Sequence, residues 1–525
     1  MTHHMTHHPA PEAPRAQPSA LPARLAALAA AALLAACGNL APVHERPAVT
    51  LPALSAAAAE GAASAAANAP AAPLPAWQDL VREPRARQVI ELALQHNTDL
   101  RLALLNVERS RAALRLTDAD RWPTVNAAVS AQRAPNSQGV QTNTLQAGLQ
   151  ITAWELDLMG RLANLSTSAQ ATLMATEAAQ RAARLALVTQ TLSAWLTLAA
   201  DGELQALAEQ TLRDRQETER LALLRHRVGA LADGDLRGVQ ALTEAARAGV
   251  AQARRQRALD EHALHALVGA PVPAALLPAP AIGALAAVDA LAPLSPALDS
   301  DVLLRRPDVI QAEQTLRAAQ ADIGAARAAM WPRITLSASA GQVGSQLSQL
   351  FEGGHFAWSL ASSAAVAIFD HGRNKANVQV SQIARDSAVA QYQKTVQTAF
   401  RETADALAGF SGWQTQLDAQ RAQLQAEADR HRLSRLKYDA GAISQVDWLD
   451  AERSLTSARQ AVVQVRLADA LNRVALYKAL GGDETRTAEA PATAAAQAGL
   501  ATVAAAGTVD STVNGSTGSA AAPRR

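Results

Sequence analysis

Cysteine, aromatic side chains and an excess of either charge are what this 525-residue chain has least of. Cys37 is its only cysteine, which excludes an intrachain disulfide and any metal site built from several thiolates. Aromatic residues make up 3% against 49% for hydrophobic residues as a class, so the apolar content is mostly small aliphatic side chain, suited to helices that approach closely. Lys and Arg number 48 against 47 Asp and Glu, and a net charge of +1 gives no reason to expect nucleic acid as a partner. There is no phosphate-cradling Walker loop and no nucleophile elbow. His96, His226, His262, His265, His355 and His431 lack ligand spacing shared with acids; the closest pair, His262 and His265, has no evident carboxylate partner. The chain is therefore expected not to be an enzyme, with no catalytic residue, no cofactor and no bound metal.

Arg24 is followed by a short apolar run ending in Leu34-Ala35-Ala36-Cys37-Gly38. The run is too short to span a membrane. It resembles a bacterial secretory signal closed by a lipobox. That implies cleavage before Cys37, acylation of Cys37 with palmitate or a similar chain and, with Gly38 rather than aspartate next, sorting to the outer membrane. Residues 1–36 would then be removed, and His3, His4, His7 and His8 with them. Residues 37–76, rich in Ala, Pro and Ser, are expected to be a lipidated flexible tether. The Ala-, Thr-, Gly- and Ser-rich tail, 483–525, is expected to be disordered.

Between these ends the chain is written twice. Asp99 precedes Trp122-Pro123 by 23 residues, and Asp308 precedes Trp331-Pro332 by 23. Gly160-Arg161, Gly229 and Gly269 recur as Gly372-Arg373, Gly441 and Gly481, each 212 positions on. The repeats are placed at 77–270 and 301–482, joined by a Pro/Ala-rich connector over 271–300.

Each repeat reads helix, β-hairpin, long helix, glycine break, helix. The stripe Val89, Leu92, Leu100, Leu104, Val107 and Leu114 predicts one helix over 84–121, ended where Pro123 forces Trp122 out of the helical region. Residues 124–132 and 145–154 are predicted strands. In the second, apolar residues fall on odd positions with Gln146, Gln150 and Thr152 between them, the period of a two-faced strand. Residues 334–340 and 356–369 repeat the pair. Helical periodicity runs from 161 to 228, with Asp201-Gly202 as a candidate break, and then from Asp235 to Val268. The longer stretch would measure about 100 Å, beyond any bilayer, and its faces are partly polar, so it belongs in water. Strands of about ten residues suit a membrane barrel. Four are too few to close one, and their open edges would leave backbone groups unsatisfied in lipid, so the chain is expected to oligomerise.

The glycine breaks carry the most pointed local chemistry. Arg225-His226-Arg227-Val228-Gly229-Ala230-Leu231 and Lys437-Tyr438-Asp439-Ala440-Gly441-Ala442-Ile443 are equivalent stretches. Each glycine supplies the positive φ that ends a helix. Ser444 is placed to cap the next helix, on which Asp447 and Asp450, three apart, share a face. On helix geometry alone, two such carboxylates are an ordinary solvated surface.

Taken together the chain resembles the outer membrane efflux protein family, the TolC-like exit ducts, and within it the lipoprotein branch serving resistance-nodulation-division (RND) pumps. The resemblance covers Trp77 to Gly482. It rests on the lipobox at Cys37, both Trp-Pro strand starts, Trp154-Glu-Leu-Asp157-Leu-Met-Gly160-Arg161, Phe369-Asp370-His-Gly372-Arg373, and Tyr438-x-x-Gly441 leading to Asp447-x-x-Asp450-Ala451. It implies a mainly α fold with a membrane β-barrel. Four strands from each chain of a homotrimer would make a twelve-stranded barrel, and the long helices a periplasmic tunnel, all lipid-anchored in the outer membrane. It implies a passive exit duct for drugs or other small molecules, fed by an inner-membrane RND pump through a periplasmic adaptor (membrane fusion) protein. It also implies that Tyr438, Asp447 and Asp450 narrow the periplasmic aperture. Val228, Gly229, Ala230 and Leu231, with Ala440, Gly441, Ala442 and Ile443, would form the tips that meet the adaptor. Ile443 stands where some members carry an arginine, so the entrance is expected to rely more on hydrogen bonds from Tyr438 and on apolar packing. A duct for type I protein secretion shares the fold and is an alternative. A periplasmic coiled-coil lipoprotein scaffold is a third reading, against which the alternating strands argue.

Overall fold

The computed structural model describes residues 39–60 apart from 54 and 57, residue 63, residues 74–285, residue 291, and residues 303–482 apart from 352. Cys37, the signal sequence, much of the connector and the C-terminal tail lie outside the described residues. The first repeat forms helices α1 (Trp77–Leu80), α2 (Pro84–His96) and α3 (Thr98–Ala119), strands β1 (Val125–Pro135) and β2 (Gln141–Leu156), then α4 (Arg161–Arg227) and α5 (Asp233–Val268). The second forms α6 (Pro307–Ala328), β3 (Arg333–Gly344), β4 (Phe356–Ala365), α7 (Arg373–Asp439) and α8 (Gln445–Ala479).

The repetition holds at the level of single backbone angles. α4 and α7 are both 67 residues long, about 100 Å of helix each. Gly160, Gly229 and Gly269 have φ of 72°, 74° and 77°, and their counterparts Gly372, Gly441 and Gly481 have 82°, 72° and 88°. Side chains with a Cβ rarely adopt this conformation, which is why the glycines mark the element boundaries in the sequence.

Three expectations need correction. The helix expected over 84–121 is two helices, because Asn97 leaves the helical region at φ −62°, ψ 125°. Its side-chain oxygen accepts the Leu100 N–H and its side-chain nitrogen donates to the Leu267 carbonyl, both at 2.8 Å. Leu100 nonetheless joins Val89, Ile90 and Ala93 in one core, so the apolar stripe runs through the break and hides it. The candidate break at Asp201-Gly202 is absent from α4. Gly202 instead makes room for the connector, since a Cβ there would stand 3.3 Å from the Ala279 carbonyl oxygen. Finally, residues 39–51 are not a free tether. Arg327 donates to the Leu40 carbonyl at 3.1 Å, Arg46 pairs with Glu313 at 3.1 Å, and His44 Nδ1 meets Gln320 Oε1 at 2.8 Å. A Cβ on Gly324 would come within 2.8 Å of the Ala41 nitrogen. An Ala/Pro-rich composition signals little structure of its own and is silent about partners that hold it extended.

The described residues divide into two compact units, each drawing on both repeats: those within 39–51, 102–180 and 307–398 in one, and those within 52–101, 181–306 and 399–482 in the other. The first unit holds an antiparallel sheet in the order β1-β2-β3-β4. Its hairpins run from Val125 opposite Ile151 to Pro135 opposite Gln141, and from Arg333 opposite Ala365 to Gln342 opposite Phe356. β2 and β3 join them, with an irregularity between Ile151 and Trp154. There Ala153 takes φ 50° and its N–H is satisfied by the Ser337 hydroxyl at 3.0 Å. β1 and β4 are each paired on one side only among the described residues, and β4 is exposed along its whole length. No helix among the described residues is long and apolar enough to cross a membrane.

The second unit is helical. Its core gathers Trp195, Leu192, Leu198, Leu264, Val474 and Tyr477. The Trp195 indole donates to the Leu276 carbonyl and Arg257 to the Pro278 carbonyl, both at 3.0 Å, so side chains of α4 and α5 pin the start of the connector.

Candidate functional site

Every residue singled out at the two glycine breaks lies in the second unit. At the first tip α4 closes in a Schellman turn: the Gly229 N–H donates to the His226 carbonyl at 2.9 Å and the Ala230 N–H to the Arg225 carbonyl at 2.8 Å. The second tip repeats it bond for bond, Gly441 to Tyr438 at 2.9 Å and Ala442 to Lys437 at 2.8 Å. A Cβ on Gly229 or Gly441 would meet nothing within 4 Å. The need for glycine there is conformational, not steric. Val228, 78% exposed, caps the first tip with an apolar surface, and Gly229, Ala230, Ala440, Gly441 and Ala442 are exposed around the two turns.

Ser444 caps α8. Its hydroxyl accepts the Asp447 N–H at 3.2 Å, and Asp447 Oδ2 accepts from the Ser444 N–H at 3.2 Å, a reciprocal capping box. Asp447 is exposed beyond this. Asp450, one turn on, is ion-paired: it meets Arg453 on its own helix and lies 3.6 Å from Arg430 of α7. The two tips meet through apolar packing, with Leu449 of α8 and Leu223 and Leu231 of the first tip set against Ala222, Leu236 and Val239. Ile443 is half-buried.

The aromatic contacts here were not legible in the sequence. The Tyr438 ring stacks on Trp448 with centroids 5.1 Å apart and planes 13° from parallel. Arg225 of α4 donates to the Tyr438 hydroxyl, and its guanidinium carbon lies 5.4 Å from that ring's centre. Arg435 of α7 sits 4.9 Å from the Trp448 ring centre. Trp448 is 5% exposed. A cleft of about 360 Å³ opens beside the stack, lined among others by Thr218, Leu221, His431, Trp448, Glu452 and Arg459. From the cleft wall Glu452 makes a buried ion pair with Arg215 at 3.3 Å. Burial pushes the Glu452 carboxyl above its ordinary range against the pull of Arg215. The His431 imidazole is held down by burial and by the guanidiniums of Arg459 and Arg435.

A second titrating feature sits in the middle of α4. Burial, then a hydrogen bond and charge from Asp260 of α5, raise Asp201 from an ordinary 3.8 to about 7, with Arg257 pulling the other way. The folded state therefore keeps a proton that the unfolded chain loses, and the stability this lends is complete below pH 3.8 and gone above about pH 7. This pair should therefore pull the melting temperature down as pH rises through that window, against the opposite slope from carboxyls such as Glu209, held below its ordinary range by hydrogen bonds from Gln205 and Arg254. Asp201→Asn should remove that pull, and an unchanged pH slope in the variant would exclude the pair as its source. Of the pair His262 and His265 on α5, His265 accepts the Val272 N–H at Nδ1, 3.0 Å away, and, contrary to the expectation of no carboxylate partner, its Nε2 lies 3.8 Å from Glu261. Among the described residues no group of three or more potential metal ligands comes together.

The outer membrane efflux protein family model matches residues 89–270 and 298–482. The toluene efflux pump outer membrane protein TtgC of Pseudomonas putida is 39% identical over 414 residues, 77% of this chain and 84% of that protein. The cation efflux system protein CusC of Escherichia coli is 35% identical over 449 residues, 85% of this chain and 95% of that one. Among solved structures, the open state of the Neisseria gonorrhoeae MtrE outer membrane channel is similar at a TM-score of 0.72 and 33% identity, over 85% of this chain and 98% of that one.

Proposed function

The chain belongs to the outer membrane efflux protein family, and from that premise we propose that the tips at Gly229 and Gly441 dock a periplasmic adaptor around an entrance narrowed by Tyr438, Asp447 and Asp450. The protein is an outer-membrane channel, the exit duct of a tripartite efflux system, with its strands in the outer membrane and its long helices in the periplasm.

The observation that carries the assembly is the sheet with two open edges. In lipid each unpaired N–H and C=O costs several kcal/mol, about as much as a lost hydrogen bond in an apolar medium. Pairing β4 of one copy with β1 of the next satisfies both edges, and three copies close a twelve-stranded barrel. The homotrimer, the inner-membrane RND pump and the adaptor are the partners this reading names. The conduit itself is passive, and the energy is the pump's. Relatives carry names that refer to toluene and to cations, so cargo class is the open variable. Deleting the gene and profiling susceptibility to aromatic solvents, drugs and metal ions tests the duct. One class should become markedly more toxic and be rescued by the gene in trans. An unchanged profile across all three classes counts against efflux.

The anchor belongs to the same reading. Cys37 is proposed to be the acylated mature N-terminus, held in the bilayer by acyl chains at about 0.8 kcal/mol per buried CH₂. Intact-mass measurement should find a chain starting at Cys37 that carries acyl groups. A chain that retains residues upstream of Cys37 would rule this out.

A further inference from the structure

We propose that Trp448 is a positioning residue for the entrance: by stacking on Tyr438 it holds that ring where Arg225 grips it, so the resting aperture is locked by an aromatic–guanidinium stack and not by the exposed carboxylates Asp447 and Asp450. The proposal rests on the reading of this end as the entrance.

Its parts come from three helices. Arg225 belongs to α4 in the first hairpin, Tyr438 and Arg435 to α7, and Trp448 to α8 in the second. The near-parallel rings join α7 to α8, and Arg225 joins that pair to α4 through a hydrogen bond to the Tyr438 hydroxyl and a guanidinium over its ring. Hairpin two cannot move away from hairpin one without breaking the Arg225 contacts, and Tyr438 cannot turn aside while Trp448 backs it. Trp448 is nearly wholly buried, yet its indole N–H has no acceptor, so packing and not hydrogen bonding accounts for its place. The exposed carboxylates nearby are otherwise occupied, Asp447 in the capping box with Ser444 and Asp450 with Arg453 and Arg430, while the buried Arg215–Glu452 pair is a separate tie between α4 and α8 that does not touch Tyr438.

The two kinds of lock respond differently to salt. Exposed ion pairs weaken as the screening length falls from about 10 Å at 0.1 M to about 3 Å at 1 M salt, whereas a stack of two uncharged rings does not. A stacked aromatic pair is worth enough that its loss shifts a two-state equilibrium by up to about tenfold.

Single-channel recording of the reconstituted full-length protein, with assembly checked separately, tests this. Trp448→Ala should raise the population of the wide state by up to about tenfold, Trp448→Phe should restore most of the closed behaviour, and the wild type should stay closed from about 0.1 to 1 M salt. Should Trp448→Ala fail to assemble, Arg225→Gln, on an exposed side chain, must open the channel in its place. A Trp448→Ala channel as closed as wild type, a Trp448→Phe channel as open as Trp448→Ala, or opening of the wild type by salt alone overturns the stack as the lock. Asp447→Asn/Asp450→Asn separates the two levels. If that variant changes ion preference while Trp448→Ala changes nothing, only the stack is wrong; if neither has an effect, the entrance reading fails as well.

Discussion

Valine in place of Gly148 or Gly341 should all but abolish assembled channel. The two glycines face each other across β2 and β3, the seam that joins the hairpin of the first repeat to that of the second. A Cβ on Gly148 would stand 2.3 Å from the Ala340 carbonyl oxygen and 2.6 Å from the Gly341 Cα. One on Gly341 would stand 2.3 Å from the Ala147 oxygen. Both obstacles are backbone, so no rotamer relieves them, and the strands must part. Overpacking of this kind costs on the order of 3 kcal/mol. The damage falls on the ladder that makes one four-stranded sheet out of two marginal hairpins. Trimer recovered from the outer membrane should drop by at least about tenfold for either variant. Gly353→Ala is the control, since a Cβ at Gly353 meets nothing within 4 Å. Wild-type amounts of trimer from both valine variants would mean that this seam does not form in the membrane.

The second large effect is electrostatic. On the proposed placement of Asp447 and Asp450 at the entrance, three chains would bring six carboxylates into one narrow passage, where rings of acidic side chains favour cations and hold multivalent ones. Asp447→Asn/Asp450→Asn should lower cation preference and weaken block by a trivalent cation by at least about tenfold. The two residues are not equal. Asp450 shares its charge with Arg453 and Arg430, while Asp447 has only neutral partners at the Ser444 cap. The single Asp447→Asn change should therefore account for most of the loss. Block by the trivalent cation that is as strong in the double variant as in the wild type returns both residues to a plain solvated helix face.

Much of the fold was readable because its punctuation is chemical. Positive φ at Gly160, Gly229 and Gly269 demands a residue without a side chain, so the repeat is visible as spaced glycines. Period-two alternation marked β2 because successive side chains of a strand point to opposite faces. Ser444 was readable as a cap because its hydroxyl serves a backbone N–H three residues away. What escaped depends on partners distant in sequence. Asn97 breaks a helix by bonding to Leu267, 170 residues on. The stretch around His44 and Arg46 is held by Glu313 and Gln320, which composition cannot reveal. Arg225 reaches Tyr438 across 213 positions. Trp448, set between a capping aspartate and Leu449, reads locally as core. Its stack on Tyr438 exists only once two helices are side by side.

The measurement that bears most directly on the exit-duct account is real-time efflux of a preloaded organic dye from cells lacking this protein, with its pump and adaptor in place. Restoring the wild-type chain should restore energy-dependent dye loss, and the Gly148→Val chain should not. Dye retained at the level of the deletion strain, with wild-type trimer present in the outer membrane, would contradict the account.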